Sequence, residues 1–246
     1  MARYFLQLAY DGTNYHGWQV QKNAHTVQAE LESKVSILLG EKIQIIGCGR
    51  TDAGVHAREF FAHFNSENFR FDPNDFVFKL NRFLPRDIAV FDVFKVEAEM
   101  HARFSALSRT YKYFINRKKS LFGRNYSYFF NGNLDVKAMM RASENIREYS
   151  DFTSFSKLHT QTATNICQVE KAFWEDYEDG RLVFTITANR FLRNMVRAIV
   201  GTLLEVGKHK IVPEDVKNII EAKDRARAGF SVPANGLFLE KITYPL

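Results

Sequence analysis

The chain has 246 residues, of which 46% are hydrophobic and only 5 are proline, so it holds enough apolar material for a packed core and is not a disordered chain. No apolar run reaches the length of a membrane span, and the sequence starts without a charged-then-apolar leader, which predicts a cytoplasmic protein. The formal charge of +6 and the pI of about 9.2 favour an anionic partner, with nucleic acid as the first candidate.

The first part of the chain alternates strand and helix patterns. Thr26 and Gly40 are typical of the start and the end of a helix, and Asp72 followed by Pro73 is typical of a second helix start. Apolar periodicity places strands and helices in the order β-α-β-β-α-β, which is the ferredoxin-like arrangement. The predicted strands are 3–10, 43–48, 59–65 and 88–96, and the predicted helices are 27–39 and 72–84.

The second part of the chain repeats this order with additions. Its predicted strands are 109–116, 166–175, 182–188 and 237–244, and its predicted helices are one opened by Asp135, then 191–206 and 213–223. We therefore predict an α+β protein in which two ferredoxin-like (βαββαβ) half-domains join into one mostly antiparallel sheet, with helices on one face and a central catalytic cleft. The half-domains are predicted as 1–104 and 105–246.

One loop is longer than a hairpin needs. Residues 49–58 read Gly-Arg-Thr-Asp-Ala-Gly-Val-His-Ala-Arg and connect two predicted strands, where two residues would suffice. Asp52 lies in this loop between Arg50 and Arg58, and a nearby guanidinium favours the ionised form of a carboxylate. Asp before a small residue and Gly is also ordinary turn chemistry, so this pattern alone leaves both a reactive aspartate and a plain turn open.

Two further patterns would suit contact with RNA. The predicted helix 191–206 places Arg190, Arg193 and Arg197 nearly opposite its apolar face, although a solvated basic face is the commoner outcome. The strand 109–116 alternates so that Arg109, Tyr111 and Tyr113 share one side, which suits base stacking or, alternatively, the rim of a core. The seven histidines lack the spacing of paired metal ligands, so no metal site is predicted, and the two cysteines are predicted to be structural thiols.

With these motifs in view, the chain resembles the tRNA pseudouridine synthases. The resemblance spans nearly the whole chain, because several motifs follow one another in the family's order. They are Tyr10-Asp11-Gly12 with Gly17-Trp18-Gln19, the run Gly49–His56, His101–Ala106 followed by Arg109–Tyr113, Asp151–Phe155, Met195-Val196-Arg197, and Gly236–Leu239.

The resemblance implies a role for each matching residue. Asp52 matches the catalytic aspartate, and Arg50 matches an arginine that intrudes where the target base leaves the stack. Tyr111 matches the tyrosine that packs against the target uracil, and Arg197 matches the basic residue that pairs with the catalytic carboxylate. Leu237 and Leu239 match the segment that lines the uracil pocket.

The resemblance also implies the activity and the partners. Members are homodimers that need no cofactor or metal, and they convert uridine to pseudouridine at positions 38, 39 and 40 in the anticodon arm of tRNA. A non-catalytic RNA-binding module with tandem RNA-recognition-like folds is the first alternative, although it leaves Asp52 unexplained. An aspartate-nucleophile phosphotransferase is the second, although it would need Mg²⁺ and further carboxylates, and none lies close to Asp52 in the sequence.

Overall fold

The computed structural model describes residues 1–157 and 164–245 of the chain. Over these ranges it is a mixed α/β protein with five α-helices and mostly antiparallel strand pairing. Contacts divide it into two compact units. Unit 1 consists of Met1–Leu107 together with the chain from Leu239 onward, and unit 2 consists of Ser108–Phe238.

Unit 1 is built around three long strands. β1 pairs antiparallel with both β3 and β4, the short β2 pairs with β3, and most of β9 lies beside β3. The elements are β1 (Ala2–Tyr10), α1 (Val27–Leu39), β2 (Ile46–Gly47), β3 (His56–Ser66), α2 (Pro73–Phe83), β4 (Ile88–Val96) and β9 (Leu237–Thr243).

The two helices of unit 1 begin where the sequence predicts. The Thr26 side chain accepts a hydrogen bond from the backbone N–H of Ala29, and α1 ends at Gly40, whose φ of 65° is left-handed. Asp72 caps α2 in the same way, directly before Pro73 at the first helical position. Each helix buries one apolar stripe, namely Val27, Leu31, Val35 and Leu39 of α1, and Phe76 and Leu80 of α2.

The strand predicted at 43–48 is wrong in extent, because β2 covers only Ile46–Gly47. The backbone N–H of Ile43 donates to Ser36 Oγ at 2.9 Å, and that of Ile45 donates to Glu32 Oε1 at 2.9 Å. Gln28 Nε2 donates to the carbonyl of Ile45, also at 2.9 Å. Side chains of α1 therefore satisfy the backbone groups that a strand partner would otherwise take.

Unit 2 contains a second antiparallel group of strands. β8 pairs antiparallel with β5 on one side and β7 on the other, and the short β6 runs parallel to β5. The elements are β5 (Ser108–Asn116), β6 (Tyr128–Phe129), α3 (Val136–Ile146), β7 (Val169–Asp176), β8 (Arg181–Ala188), α4 (Met195–Gly207), α5 (Asp215–Glu221) and the first two residues of β9.

The helix predicted at 191–206 begins four residues later than expected. Asn194, the residue before α4, has a φ of 69°, and this left-handed conformation separates 191–194 from the helix. Arg190 and Arg193 therefore precede α4, and only Arg197 lies on it. The prediction of one helical face carrying three arginines is wrong.

Candidate active site

Asp52 lies in unit 1, in the loop that joins β2 to β3. Its side chain is half-buried, and the loop turns at this point because the backbone N–H of Val55 donates to the Asp52 carbonyl at 3.2 Å. The loop starts next to the buried Gly47 and Cys48 and ends at the buried Val55 and His56. The carboxylate is therefore presented from a short segment whose two ends are fixed in the core.

Tyr10 and the segment 11–18 that follows it support the Asp52 loop on both sides of Asp52. The Tyr10 hydroxyl lies 2.8 Å from Thr51 Oγ1, and the backbone N–H of Trp18 donates to the Thr51 carbonyl at 3.2 Å. On the other side of Asp52, the backbone N–H of Gly54 donates to the Tyr15 carbonyl at 3.3 Å. The residues on both sides of Asp52 are thus tied to the same neighbouring segment.

Glycine is needed where the two segments touch. A Cβ at Gly12 would lie 2.0 Å from the Val55 carbonyl oxygen, and one at Gly17 would lie 2.4 Å from the Thr51 carbonyl oxygen. Gly17 also has a φ of 90°, which side-chain-bearing residues rarely adopt. The described contacts of this segment therefore show close packing against the Asp52 loop.

Two polar pairs around this segment were missed by the sequence analysis. The backbone N–H of Gly12 donates to Nδ1 of the buried His56 at 3.1 Å, and the same Nδ1 lies 2.9 Å from Asp11 Oδ1. The Tyr15 hydroxyl donates to Asp87 Oδ1 at 2.6 Å. Burial is the larger cause of the raised pKa of Tyr15, and this hydrogen bond is the second. The only sequence signal was the unusual number of aromatic residues near Gly12 and Gly17.

The two arginines that flank Asp52 in the sequence have different surroundings. Arg58 lies on β3 and donates to Glu240 at 3.3 Å. Arg50 is exposed, and within the described part of the chain it makes no hydrogen bond or ion pair. The sequence suggested a carboxylate held between two guanidinium groups. Glu240 is a partner of Arg58 that the sequence did not indicate, and the flanking arrangement stays a prediction.

A small pocket of about 180 Å³ opens beside Arg50 in unit 1. We call it the Arg50 pocket. Arg50 and Arg103 are its two charged residues, and no carboxylate lines it. Its lining residues are Trp18, Gln19, Gln28, Ile45, Ile46, Gly47, Gly49, Arg50 and Arg103.

In unit 2, Tyr111 and Tyr113 lie on β5 and differ in exposure. Tyr111 is half-buried, and its ring meets that of Phe191 edge to face with centroids 5.1 Å apart. Tyr113 is fully buried, and its hydroxyl donates to the Pro233 carbonyl at 2.8 Å. Burial raises the pKa of Tyr113, while the charge of Arg197 opposes that rise. Tyr113 is therefore a core residue, whereas the Tyr111 side chain is partly exposed.

Arg197 is oriented by the segment 225–233, which packs against α4. Its Nε donates to the Val232 carbonyl at 2.7 Å. The guanidinium of Arg225 bonds to the carbonyls of Ala228 and Gly229 and to Ser231 Oγ, all within the same segment. Arg197 is half-buried, and a backbone carbonyl holds its Nε.

The structure places the predicted site residues in both units. Unit 1 holds Arg50, Asp52 and Leu239, and unit 2 holds Tyr111, Arg197 and Leu237. Leu237 and Leu239 are buried, with 6% and 1% of their surface exposed. The roles drawn from the resemblance remain predictions.

No cluster of three or more histidine, cysteine, aspartate or glutamate side chains suited to a metal ion occurs among residues 1–157 and 164–245. Over the same ranges, none of the helices is long and apolar enough to cross a membrane. The expected absence of a metal and the expected compartment remain predictions.

Comparison with known proteins gives the family. The sequence model described as tRNA pseudouridine synthase matches residues 8–105 and 149–245. The chain belongs to the tRNA pseudouridine synthase family. Pseudouridine synthases are isomerases, so the prediction of an isomerase is confirmed, and a non-catalytic module or a phosphotransferase is disfavoured.

Several curated relatives match this family member over nearly their whole length. A protein of Bacteroides thetaiotaomicron named tRNA pseudouridine synthase A is 52% identical over 247 residues, covering 100% of this chain and 91% of the relative. Its namesake from Bacteroides fragilis is 51% identical, covering 99% and 96%. A more distant namesake from Clostridium acetobutylicum is 44% identical, covering 97% and 98%. The resemblance stated from the motifs is therefore confirmed along the chain.

Proposed function

We propose that this family member converts uridine to pseudouridine in the anticodon arm of tRNA, at positions 38, 39 and 40. The observation that carries the proposal is Asp52, a half-buried carboxylate in a loop tied down on both sides by segment 11–18. A reaction that detaches uracil from ribose and rejoins it through C5 needs one reactive group held at a fixed position. The names of the relatives support tRNA as the substrate.

Asp52 is proposed as the catalytic residue in one of two ways. As a nucleophile it attacks the uracil ring or ribose C1′, and as a base it removes a ribose proton to give a glycal-like intermediate. All of these routes require the carboxylate in its ionised form. By the family's pattern, we assign Arg197 to pairing with that carboxylate.

The target uridine must leave the helical stack before it reacts, which costs about a few kcal/mol for unstacking and unpairing. We assign Arg50 to the space that the base leaves, and its exposure and lack of a described partner support this role. Tyr111 is assigned to packing against the uracil, and Leu237 and Leu239 to the lining of the uracil pocket, again from the family's pattern.

Several finer features complete the proposal. The enzyme acts as a homodimer in the cytoplasm, and it needs no cofactor or metal. Each half of the chain is ferredoxin-like, and the order β1-α1-β2-β3-α2-β4 with neighbours β4-β1-β3-β2 in unit 1 supports this. Activity that persists in EDTA and sedimentation at twice the monomer mass would support the metal-free dimer.

The test of the function uses unmodified tRNA and the Asp52→Asn variant. We expect wild type to form pseudouridine at 38, 39 or 40, mapped by chemical labelling, because uridine and pseudouridine have equal mass. Asp52→Asn should still bind tRNA and form none, since the amide neither attacks nor removes a proton. Asp92→Asn, at an exposed position of β4, is the control and should behave as wild type. Turnover by Asp52→Asn would contradict the assignment.

A further inference from the structure

The Arg50 pocket has the chemistry of an anion site. Its two charged residues, Arg50 and Arg103, are both cationic, and the amides of Gln19 and Gln28 complete its polar lining. Glu32 of the underlying helix does not line the pocket; its Oε1 accepts from Gln28 Nε2 and from the backbone N–H of Ile45. Guanidinium groups recognise phosphate through paired N–H donors, which makes a phosphate ester the matching ligand.

Arg103 is carried by a turn whose backbone is fixed. The N–H groups of Arg103 and Phe104 both point at His101 Nδ1, at 3.1 and 3.2 Å. The N–H of Ala102 donates to His63 Nδ1 at 3.1 Å, inside the core. The exposed Arg103 side chain therefore starts from a rigid base, which lowers the entropy lost when it binds a ligand.

The aromatic ring of Phe104 lies next to the guanidinium of Arg103. The Arg103 guanidinium lies 5.4 Å from the ring centroid of Phe104, and 75% of the Phe104 surface is exposed. Proteins that bind single-stranded RNA commonly place an exposed aromatic ring beside a cation. A base stacks on the ring, and the cation contacts a backbone phosphate.

The size of the pocket limits what enters it. Its volume of about 180 Å³ lies below the roughly 300–1,000 Å³ of sites that enclose a whole small molecule. One phosphate group with part of a ribose is a better match than a complete nucleotide. The rest of the ligand must therefore continue outside the pocket, as a polymer does.

We propose that the Arg50 pocket binds one phosphodiester group of the RNA backbone beside the target uridine, with Arg103 as its main ligand. The proposal rests on the proposed function, because Arg50 is assigned to the space that the uridine leaves and also lines the pocket. A phosphate held there would keep the strand in place while the base is out of the stack.

Arg103→Ala should weaken tRNA binding on the order of tenfold, because a bond between charged groups is lost. The slope of log K against log salt should fall in magnitude by about 0.7 to 0.9, the value for one phosphate contact. Arg103→Lys keeps the charge without the paired donors, so it should show a smaller loss of affinity. Arg70→Ala removes an exposed arginine of unit 1 that does not line the pocket, and it should match wild type.

A set of tRNAs, each with one neutral methylphosphonate linkage near the target uridine, locates the contact. We expect one linkage to weaken binding by wild type and by Arg70→Ala, and to have no effect on Arg103→Ala. If each neutral linkage weakens binding by Arg103→Ala as much as it weakens binding by wild type, the proposal is overturned. The proposal is also overturned if the protein binds free inorganic phosphate but no neutral linkage in the tRNA weakens binding by wild type. Wild type that forms no pseudouridine would instead refute the proposed function, so the two failures are distinct.

Discussion

The Nε atom of Arg197 donates a hydrogen bond of 2.7 Å to the carbonyl of Val232, 35 residues further along the chain. This bond fixes the plane of the guanidinium through backbone, so its remaining N–H groups keep one direction. Segment 225–233 therefore helps to orient Arg197, although it contains no residue that the sequence motifs suggested.

Arg197→Lys should lower kcat by about 10- to 100-fold, which is the range for loss of a hydrogen bond between charged groups. Lysine keeps the positive charge, but its ammonium cannot bond to Val232 and keep the direction of the guanidinium. The measurement is single-turnover pseudouridine formation with saturating tRNA. Arg141→Lys, at an exposed position of α3, should leave the rate unchanged. An unchanged rate for Arg197→Lys would show that its orientation does not matter.

Gly201→Ala should destabilise the protein by more than about 3 kcal/mol, above the usual cost of overpacking. The added Cβ would lie 1.7 Å from the carbonyl oxygen of Phe230, and backbone cannot turn aside as a side chain can. Gly49→Ala is a matched control, because its Cβ would meet nothing within 4 Å. Urea unfolding of both variants compares the two free energies, and equal stabilities would argue against close packing of 225–233 on α4.

Tyr15→Phe should lower the free energy of unfolding by about 1.5 to 3 kcal/mol, since it leaves the Asp87 carboxylate without its 2.6 Å donor. The raised pKa of Tyr15 has burial and Asp87 as its leading causes, so the hydroxyl stays protonated and donating at neutral pH. Tyr177→Phe removes a similar bond to Glu175 at the surface and should change stability little. A similar small effect at both positions would indicate that the Tyr15 bond does not support segment 11–18.

His63 should make stability depend on pH. Burial, then His101 and Arg3, lower its pKa from 6.5 to about 4, and its Nδ1 accepts from Ala102 in the neutral form. Between these values the unfolded chain binds a proton that the folded chain does not, so stability falls as pH drops from about 6.5 to about 4. From pH 7 to pH 5 the loss should be about 2 kcal/mol.

His63→Asn is the variant that isolates this effect, because its Oδ1 can still accept from Ala102 and does not titrate. Chemical unfolding of wild type and variant at pH 7 and pH 5 should show a smaller loss in the variant. Identical pH dependence in the two proteins would contradict a neutral His63.

The sequence predicted elements well where the signals are local. Helix α1 is bounded by Thr26 and Gly40, which act on their own neighbours, and its predicted bounds of 27–39 are confirmed. The late start of α4 could not be foreseen, because Asn194 adopts a left-handed conformation and bonds to Ser231, which is distant in sequence. The short extent of β2 has a similar cause, because side chains of α1 form hydrogen bonds with the backbone groups of Ile43 and Ile45.

The roles of the candidate site residues stay predictions. Asp52 was singled out because its loop is longer than a hairpin needs. The engagement of Arg58 by Glu240 could not be read from the sequence, because 182 positions separate them. The Arg103 side of the Arg50 pocket was missed for the same reason, since Arg103 and Arg50 are brought together only by folding.

The position of Trp18 gives the protein an optical reporter. The chain has two tryptophans. Trp18 stacks on Phe60 with ring centroids 4.1 Å apart and lines the Arg50 pocket, whereas Trp174 packs against Phe184 in unit 2. Indole emission depends on its surroundings, so a Trp174→Phe protein would contain a single fluorophore at the edge of the pocket. Filling and emptying of the pocket could then be followed in real time, without a label on the RNA.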